Sequence, residues 1–206
     1  MSDSQLSKDF FKRDAHIVAG ELLGKVIEVR DGTSLCSAVI SETESYSGFD
    51  DKASHAFGGR VTERNRVMYG EPGVIYVYLV YGMHVLLNIV TGSQGFPAAV
   101  LIRSALPKGG TSIMSERRFG KRPEQLTVRE MASLAKGPGN LTKALGITME
   151  DYGRQVNGIY GQRSILLLDS GLSPEYYSSP RIGVDYAEEW AAVPWRFCIK
   201  DGFSKF

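Results

Sequence analysis

The sequence contains few cysteines, little net charge and no long apolar run, and each shortage excludes a class of protein. Its 206 residues include two cysteines, Cys36 and Cys198, too few for a disulfide framework, which favours a reducing compartment. The longest apolar run, 74–87, is interrupted at Tyr81-Gly82 and falls short of the roughly 20 residues that a membrane-spanning helix needs. Residues 1–4 lack the basic and apolar regions of a signal peptide. We therefore expect neither a secreted protein nor a membrane protein.

The net charge is only +1, from 24 Lys and Arg against 23 Asp and Glu. Nucleic-acid-binding domains usually carry a basic excess, so this balance by itself does not favour that class. A local basic face on a nearly neutral protein is still compatible with the sequence. Positive charge recurs at Lys108, Arg117-Arg118, Lys121-Arg122 and Lys136.

The pattern of apolar and turn residues predicts a sheet first and helices later. Asp14 is positioned to cap a helix that ends near Leu23. Asp31-Gly32 is typical of the turn of a β-hairpin, and Thr127 with Glu130 forms the sequence of a helix capping box. The predicted strands are 25–29, 35–44, 74–80, 85–91, 98–105, 164–169, 181–184 and 195–199, and the later predicted helices are 111–119, 127–136 and 140–146.

These elements predict an α+β fold, with a curved and mostly antiparallel β-sheet core surrounded by short helices. Residues 1–206 contain no repeat, linker or low-complexity tract, so we expect a single domain. Residues 1–7 carry no periodic pattern and are expected to be a loosely ordered N-terminus.

Glu42 and Glu44 are the first candidates for chemistry. If the strand stays regular, they share a face with Ile40 and Tyr46, which places a carboxylate at the rim of an apolar surface. Three kinds of site use such residues: a metal site completed by His55, a carboxylate pair that cleaves glycosides, and a single general base that activates water. Both carboxyl groups project to one side of any substrate, so the single general base is the simplest interpretation.

The loop 50–68 is long and aperiodic, as functional loops often are, and it carries His55. The following strand places Tyr76 and Tyr78 on one face, while Tyr81 falls in the next turn. Tyrosines in strands are usually packing residues, but one at a hairpin tip can also act as a wedge between DNA bases. Asn88 lies in an apolar strand and must find hydrogen-bond partners, either structural or in a ligand.

Several cations are further candidates. Arg103 is flanked by apolar residues and needs a carboxylate or phosphate partner if its strand is central. Residues 136–140 lead into a helix N-terminus, which is either an anion site or a plain connection between helices.

Taken together, these segments resemble the alkyladenine (3-methyladenine) DNA glycosylase family, and the similarity covers roughly residues 8 to 200 in register. The segments that carry it are Glu42-Thr43-Glu44-Ser45-Tyr46, Ser54-His55, Gly58-Gly59-Arg60, Thr62-Glu63-Arg64-Asn65-Arg66 with Met68, Tyr76-Val77-Tyr78, Tyr81-Gly82-Met83, Asn88, Arg103, Gly137-Pro138-Gly139, Ala144-Leu145-Gly146-Ile147, Pro180-Arg181-Ile182-Gly183-Val184, Glu189-Trp190 and Arg196-Phe197.

The resemblance implies a monofunctional base-excision enzyme and a role for each matching residue. Glu44 would be the general base that activates water, and Arg103 would help to hold that water. The flipped base would lie in a pocket walled by Tyr46, His55 and Tyr78, with Asn88 disfavouring guanine. Tyr81 would intercalate into the duplex. The residues expected to contact the DNA backbone are Arg60, Arg64, Lys136, Gly137 and Gly139.

The leading hypothesis is hydrolysis of the N-glycosidic bond of damaged purines in double-stranded DNA, without strand cleavage. It implies no cofactor, no metal and no membrane, and a location in the bacterial cytoplasm and nucleoid or in a eukaryotic nucleus. The alternatives are a non-catalytic nucleic-acid-binding module on the same scaffold and a metal-dependent hydrolase.

Overall fold

A ten-stranded antiparallel sheet runs through the part of the chain that this computed structural model describes, residues 4–200. The strands are β1 Ser4–Gln5, β2 Val26–Asp31, β3 Ser34–Ser47, β4 Ile75–Val80, β5 His84–Val90, β6 Ala98–Gly109, β7 Ile159–Tyr160, β8 Arg163–Asp169, β9 Tyr176–Ser179 and β10 Arg196–Ile199. The 14-residue strand β3 is central, because it pairs with β2, β6 and β10. The main strand order is β1-β8-β2-β3-β6-β5-β4, with β7 beside β8 and β9 beside β10.

Short helices pack against this sheet and complete one α+β domain. The main core joins apolar residues of the strands to Val18, Met114 and Leu141, which lie on three different helices. Of the helices in residues 4–200, none is long and apolar enough to cross a membrane. The helices are α1 Lys8–Phe11, α2 Ala15–Glu21, α3 Thr111–Phe119, α4 Val128–Ala132 and α5 Pro138–Leu145. Short 3-10 segments occur at Phe57–Gly59, Arg66–Tyr69, Pro123–Gln125, Met149–Asp151 and Asp185–Ala191, and the last of these is kinked at Glu188.

The predicted α+β class and antiparallel sheet are confirmed, and the sheet is open rather than closed into a barrel. The Asp14 cap is confirmed, since its carboxylate accepts a hydrogen bond of 2.8 Å from the backbone N–H of His16. The Thr127 capping box is confirmed as well, but the helix that it opens ends at Ala132 instead of 136.

Three local predictions are wrong. Gly137, not Asn140, is the N-cap of α5, because Pro138 is well suited to the first helical turn and starts the helix earlier. Residues 181–184 form a bend instead of a strand, and the strand of this region is β9. Residues 4–7 depart from the expected loose N-terminus, since β1 pairs with β8, while residues 1–3 lie outside the described part of the chain.

The regular alternation assumed for β3 is also wrong, and this irregularity shapes the molecule. Ile40 pairs with Ala105 and Thr43 with Ile102, but between them the register shifts twice and leaves Ser41 and Arg103 without a direct partner. Each strand therefore changes which face its side chains point to. Ile40 lies in the main core, whereas Glu42, Glu44 and Tyr46 lie on the opposite face beside Arg103.

A buried ion pair between Asp151 and Arg163, the first residue of β8, provides a test of this architecture. The carboxylate of Asp151 is fully buried and accepts hydrogen bonds of 2.7 and 2.6 Å from the guanidinium of Arg163. Nη1 of Arg163 also donates a hydrogen bond of 3.1 Å to Oδ2 of Asp31, a half-exposed carboxylate.

We predict that Asp151→Asn lowers the free energy of unfolding by roughly 3 kcal/mol, because it leaves a buried guanidinium short of its charge partner. Asp31→Asn is the matched control and should change it by less than about 1 kcal/mol, as exposed pairs do. Urea unfolding followed by circular dichroism measures both. Equal effects of the two substitutions would show that burial does not set the strength of this pair.

Candidate active site

A cleft of about 470 Å³ opens on the sheet face that carries the two glutamates. Every residue that the sequence analysis assigned to a base pocket lines it, namely Tyr46, His55, Tyr78 and Asn88. Arg103 and Tyr81 line it too. The sheet contributes most of these side chains, from β3 through β6, and the 50–68 loop contributes His55.

Glu44 is fully buried behind the lining of the cleft, rather than at an apolar rim as expected, and three residues that line the cleft donate hydrogen bonds to it. Its Oε2 atom accepts hydrogen bonds from the hydroxyl of Tyr46 at 2.8 Å and from Nη1 of Arg103 at 3.1 Å. Its Oε1 atom accepts one from the backbone N–H of Ile182 at 2.8 Å. These donors hold the carboxylate in one orientation and compensate for its removal from water.

Glu42 lies beside it and serves as a structural partner for the same arginine. Nε of Arg103 donates to its Oε1 at 3.2 Å, and Arg196 donates to the same oxygen at 2.9 Å. The hydroxyl of Ser104 donates to Oε2 at 2.7 Å. Burial opposes the charge on Glu42, but the hydrogen bonds from Ser104 and Arg196 outweigh it and lower the pKa of this carboxyl. Glu42 is therefore an ionised anchor for Arg103.

Ser104 extends this network to the N-terminus of α5. Its Oγ atom accepts a hydrogen bond of 3.0 Å from the backbone N–H of Gly137, whose φ of +89° favours glycine. Gly139 faces His84 closely, since an added Cβ would lie 3.0 Å from its Nδ1 atom. Gly137 and Gly139 both line the cleft, so this helix end is part of its wall.

Aromatic rings form the walls. His55 meets Tyr78 edge-on with ring centroids 4.7 Å apart, and Tyr76 lies 5.2 Å from Tyr78. On the other wall, the guanidinium of Arg181 lies 4.7 Å from the centroid of the Tyr46 ring. Burial, followed by the charge of Glu44, raises the pKa of Tyr46 well above its usual value. Its hydroxyl is therefore protonated and donates to Glu44.

His55 is a neutral wall residue at neutral pH. Its Nδ1 atom shares a hydrogen bond of 2.7 Å with the hydroxyl of Tyr76. Burial and then the positive charge of Arg64 lower the pKa of His55 to about 4. The ring therefore adds no positive charge to the cleft.

Asn88 is buried in β5, where its side-chain amide donates to the backbone carbonyl of Tyr76 at 3.1 Å. Tyr76 is its direct partner in the β4–β5 ladder. The backbone carbonyl of Tyr76 is thus a structural hydrogen-bond partner of the kind that the sequence required for Asn88. This bond fixes the Asn88 side chain at the cleft wall.

Tyr81 occupies the tip of the β4–β5 hairpin and is 90% exposed. Its φ of +52° is uncommon for a residue with a side chain, and Gly82 follows with a φ of +70°. The packing alternative for Tyr81 is excluded by this exposure. The ring projects from a rigid turn at the edge of the cleft.

Asp51 and Arg181 form a buried ion pair that no local sequence pattern indicates. Two hydrogen bonds of 2.7 and 2.8 Å join them, and both side chains are fully buried. Arg181 also donates to the backbone carbonyl of Ser45 at 3.0 Å. The pair fixes the bend in which Ile182 directs its N–H at Glu44. The Pro180–Val184 motif marks this bend in the sequence, but it does not indicate that Asp51 is the partner of Arg181.

The expected DNA-backbone residues fall into two groups. Arg64, Gly137 and Gly139 line the cleft, whereas Arg60 and Lys136 are exposed outside its lining. Within residues 4–200, no cluster of three or more His, Cys, Asp or Glu side chains could hold a metal ion. The metal interpretation of the two glutamates therefore gains no support from the geometry.

The model of one protein family, described as methylpurine-DNA glycosylase, matches residues 9–202. The chain belongs to the methylpurine-DNA glycosylase family. It is 43% identical over 199 residues to a protein of Desulfitobacterium hafniense (strain Y51), covering 96% of each chain. It is also 40% identical over 198 residues to one of Clostridium novyi (strain NT), covering 96% of each. Both relatives are named "Putative 3-methyladenine DNA glycosylase".

Membership in the methylpurine-DNA glycosylase family confirms the resemblance found in the sequence. A third relative, from Bacillus cytotoxicus, bears the same name and is 42% identical over 93% of this chain and 94% of its own. The matched range includes every residue that lines the cleft. Family membership does not show what each cleft residue does, so the residue roles stay predictions.

We predict that the ring of His55 titrates with a midpoint of about 4, below the usual 6.5, because its burial disfavours the cation. An unfolded chain would take up this proton first as the pH falls below 6.5, so the contribution of His55 to stability is complete above 6.5 and is lost towards 4. NMR titration of the histidine rings measures the midpoint, and His55→Gln identifies the resonance. A midpoint near 6.5 would contradict the buried, neutral ring.

Proposed function

We propose that the protein flips alkylated or deaminated purines out of double-stranded DNA and hydrolyses their N-glycosidic bond, leaving an abasic site. The observation that carries this proposal is a fully buried carboxylate, Glu44, held by Tyr46 and Arg103, which line an aromatic cleft in a methylpurine-DNA glycosylase family member. Because the three relatives are bacterial, we place the proposed activity on nucleoid DNA.

Base flipping follows from the depth of the carboxylate. A base that stays stacked in a duplex cannot reach a buried group, so it must be extruded at a cost of a few kcal/mol, which is lower for damaged pairs. Stacking on the rings of Tyr46 and Tyr78 would return about 1–3 kcal/mol. A cationic alkylpurine gains further from electron-rich rings, and a neutral His55 does not repel it.

The hydrogen bonds of Glu44 leave one acceptor position of its carboxylate unused. An ionised carboxylate offers about four acceptor positions on its two oxygens. Two donors occupy Oε2, but only the N–H of Ile182 occupies Oε1. The remaining position on Oε1 can accept a proton from a water molecule that attacks the anomeric carbon of the sugar. Arg103 would orient that water, since it is held between both glutamates.

Asn88 and Tyr81 would control which base enters and what replaces it. The amide of Asn88 is fixed by Tyr76, so a purine 2-amino group that arrives there would meet a side chain that cannot move away. The exposed ring of Tyr81 would fill the gap that the flipped nucleotide leaves in the duplex.

The chemistry supports hydrolysis without strand cleavage. Cleavage through a Schiff base needs an uncharged amine in the cleft. The described lining of the cleft contains no lysine. Lys52, which lies in the same loop as His55, pairs with Glu188 and Glu189 at 2.6 and 2.9 Å. Those contacts raise the pKa of Lys52 and keep its amine charged.

Base release from defined duplexes tests the proposal. Separate duplexes would contain one 3-methyladenine, 7-methylguanine, hypoxanthine or ethenoadenine, and chromatography would detect the free base. We expect release of at least one damaged purine, with strands that break only after alkali treatment. Binding to all four duplexes without release would instead favour the non-catalytic nucleic-acid-binding module. Activity that is lost on chelation would favour a metal-dependent hydrolase.

Tyr81→Ala should weaken binding to lesion-containing duplex by roughly tenfold, because a base-stacking contact of about 1–3 kcal/mol is lost. Tyr177→Ala is the matched control, since Tyr177 is a half-exposed tyrosine outside the lining of the cleft. Fluorescence anisotropy with labelled DNA measures both affinities. If the Tyr81→Ala variant and the unmodified protein bind the duplex with equal affinity, Tyr81 does not intercalate.

A further inference from the structure

The three hydrogen bonds on the Glu44 carboxylate come from donors that must themselves be held in place. One donor, Arg103, is held by Glu42, whose Oε1 atom accepts a hydrogen bond from its Nε at 3.2 Å. The other two donors are the hydroxyl of Tyr46 and the backbone N–H of Ile182. The proposed reaction needs these two donors to be fixed as well.

Arg181 lies against one of these donors and is bonded to the other. Its guanidinium carbon lies 4.7 Å from the centroid of the Tyr46 ring, and Ile182 is the next residue along the chain. Nη1 of Arg181 also donates a hydrogen bond of 3.0 Å to the backbone carbonyl of Ser45, which lies between Glu44 and Tyr46 in β3. One guanidinium therefore joins the strand that carries the candidate general base to the bend that supplies a hydrogen bond to it.

A carboxylate and a second aromatic ring fix Arg181 itself. Both oxygens of Asp51 accept hydrogen bonds from the guanidinium, and its Oδ1 atom accepts another of 3.0 Å from the backbone N–H of Ala53. The guanidinium carbon lies 5.0 Å from the centroid of the Trp195 ring, and Nη2 donates to the backbone carbonyl of Trp190 at 3.3 Å. Paired donors to one carboxylate and contacts with aromatic rings are properties of arginine that lysine does not share.

We propose that the Asp51–Arg181 pair positions the general base of the base-excision reaction. Through the Tyr46 ring and the Ile182 N–H, this pair sets the orientation of the Glu44 carboxylate. The inference rests on the proposed function and adds to it two positioning residues that do not line the cleft. A carboxylate that turns away no longer directs its unused acceptor position at the attacking water. Because a misplacement of about 1 Å can slow a reaction roughly 100-fold, the loss should appear in the chemical step.

The Asp151–Arg163 pair offers a matched control, because it has the same chemistry at another place in the fold. Both aspartates are fully buried, and each accepts two hydrogen bonds of between 2.6 and 2.8 Å from one guanidinium. Arg163 donates to the backbone carbonyl of Gly146 and so joins β8 to the end of α5. A loss of stability alone would affect both pairs alike, whereas a loss of positioning would follow only from breaking the Asp51 pair.

Asp51→Asn tests the inference, with Asp151→Asn as the control. Both variants would be assayed at a temperature where circular dichroism shows them folded, on the lesion that the unmodified protein releases fastest. Asp51→Asn should slow single-turnover release at least about tenfold with little change in affinity for the duplex, since the misplaced group acts in the chemical step. Asp151→Asn should keep the rate of the unmodified protein. Equal rates for the two variants would overturn the inference.

The double variant with Glu44→Gln shows whether the pair acts through Glu44. If it does, Asp51→Asn slows the unmodified protein but leaves the residual rate of Glu44→Gln unchanged, because the carboxylate to be positioned is gone. Equal effects of Asp51→Asn in both backgrounds would overturn the inference.

Arg181→Lys covers the case in which Asp51→Asn does not fold. Lysine keeps a cation beside the buried Asp51, but its ammonium group cannot donate in parallel to both carboxylate oxygens and stack on Tyr46 at once. We expect release by this variant to be slowed as well, with affinity for the duplex little changed. A rate equal to that of the unmodified protein would contradict the positioning role.

Hydrogen exchange of the Ile182 amide, followed by NMR, separates this inference from the proposed function. Ile182→Val identifies the resonance. The amide should exchange severalfold faster in Asp51→Asn than in Asp151→Asn, because only the first variant releases the bend that directs this N–H at Glu44. If the unmodified protein releases no base, the proposed function fails, and the exchange rates still decide whether the pair holds this N–H. Equal exchange in the two variants would overturn the inference.

Discussion

The burial of the Glu44 carboxylate is the constraint on which the rest of the site depends. Removing an ionised carboxylate from water costs several kcal/mol unless hydrogen bonds and opposite charge replace the water. The replacement comes from one neighbour and two distant parts of the chain: Tyr46 on the same strand, Arg103 on β6 and the N–H of Ile182 on a late bend. The catalytic candidate therefore exists only when the whole domain is folded around it.

Two further features follow from this constraint. The paired irregularity of β3 and β6 turns both glutamates and Arg103 to the cleft side, while Ile40 stays in the core. The Asp51–Arg181 ion pair then holds the bend that supplies the Ile182 N–H. In front of this buried carboxylate, the rings of Tyr46, Tyr76 and Tyr78 line the cleft.

Much of the fold could be predicted from local sequence, because its signals are local. The Asp31-Gly32 turn, the Asp14 cap and the Thr127 box each depend on a few neighbouring residues, and all three occur in the structure. The irregularity at Ser41 could not be predicted, since it results from pairing with β6. For the same reason the sequence did not reveal that Asp51 fixes Arg181, 130 residues away. The cleft residues were found through family resemblance rather than through periodicity.

Single-turnover base release by Glu44→Gln is the sharpest test of Glu44 as the general base, because an amide of the same shape cannot accept a proton from water. We predict that this variant binds lesion-containing duplex with unchanged affinity but releases the base at least about 100-fold more slowly, as expected for loss of a general base. Glu42→Gln, which alters the neighbouring carboxylate, should lose far less. Release by Glu44→Gln at the rate of the unmodified protein would show that Glu44 is not the general base.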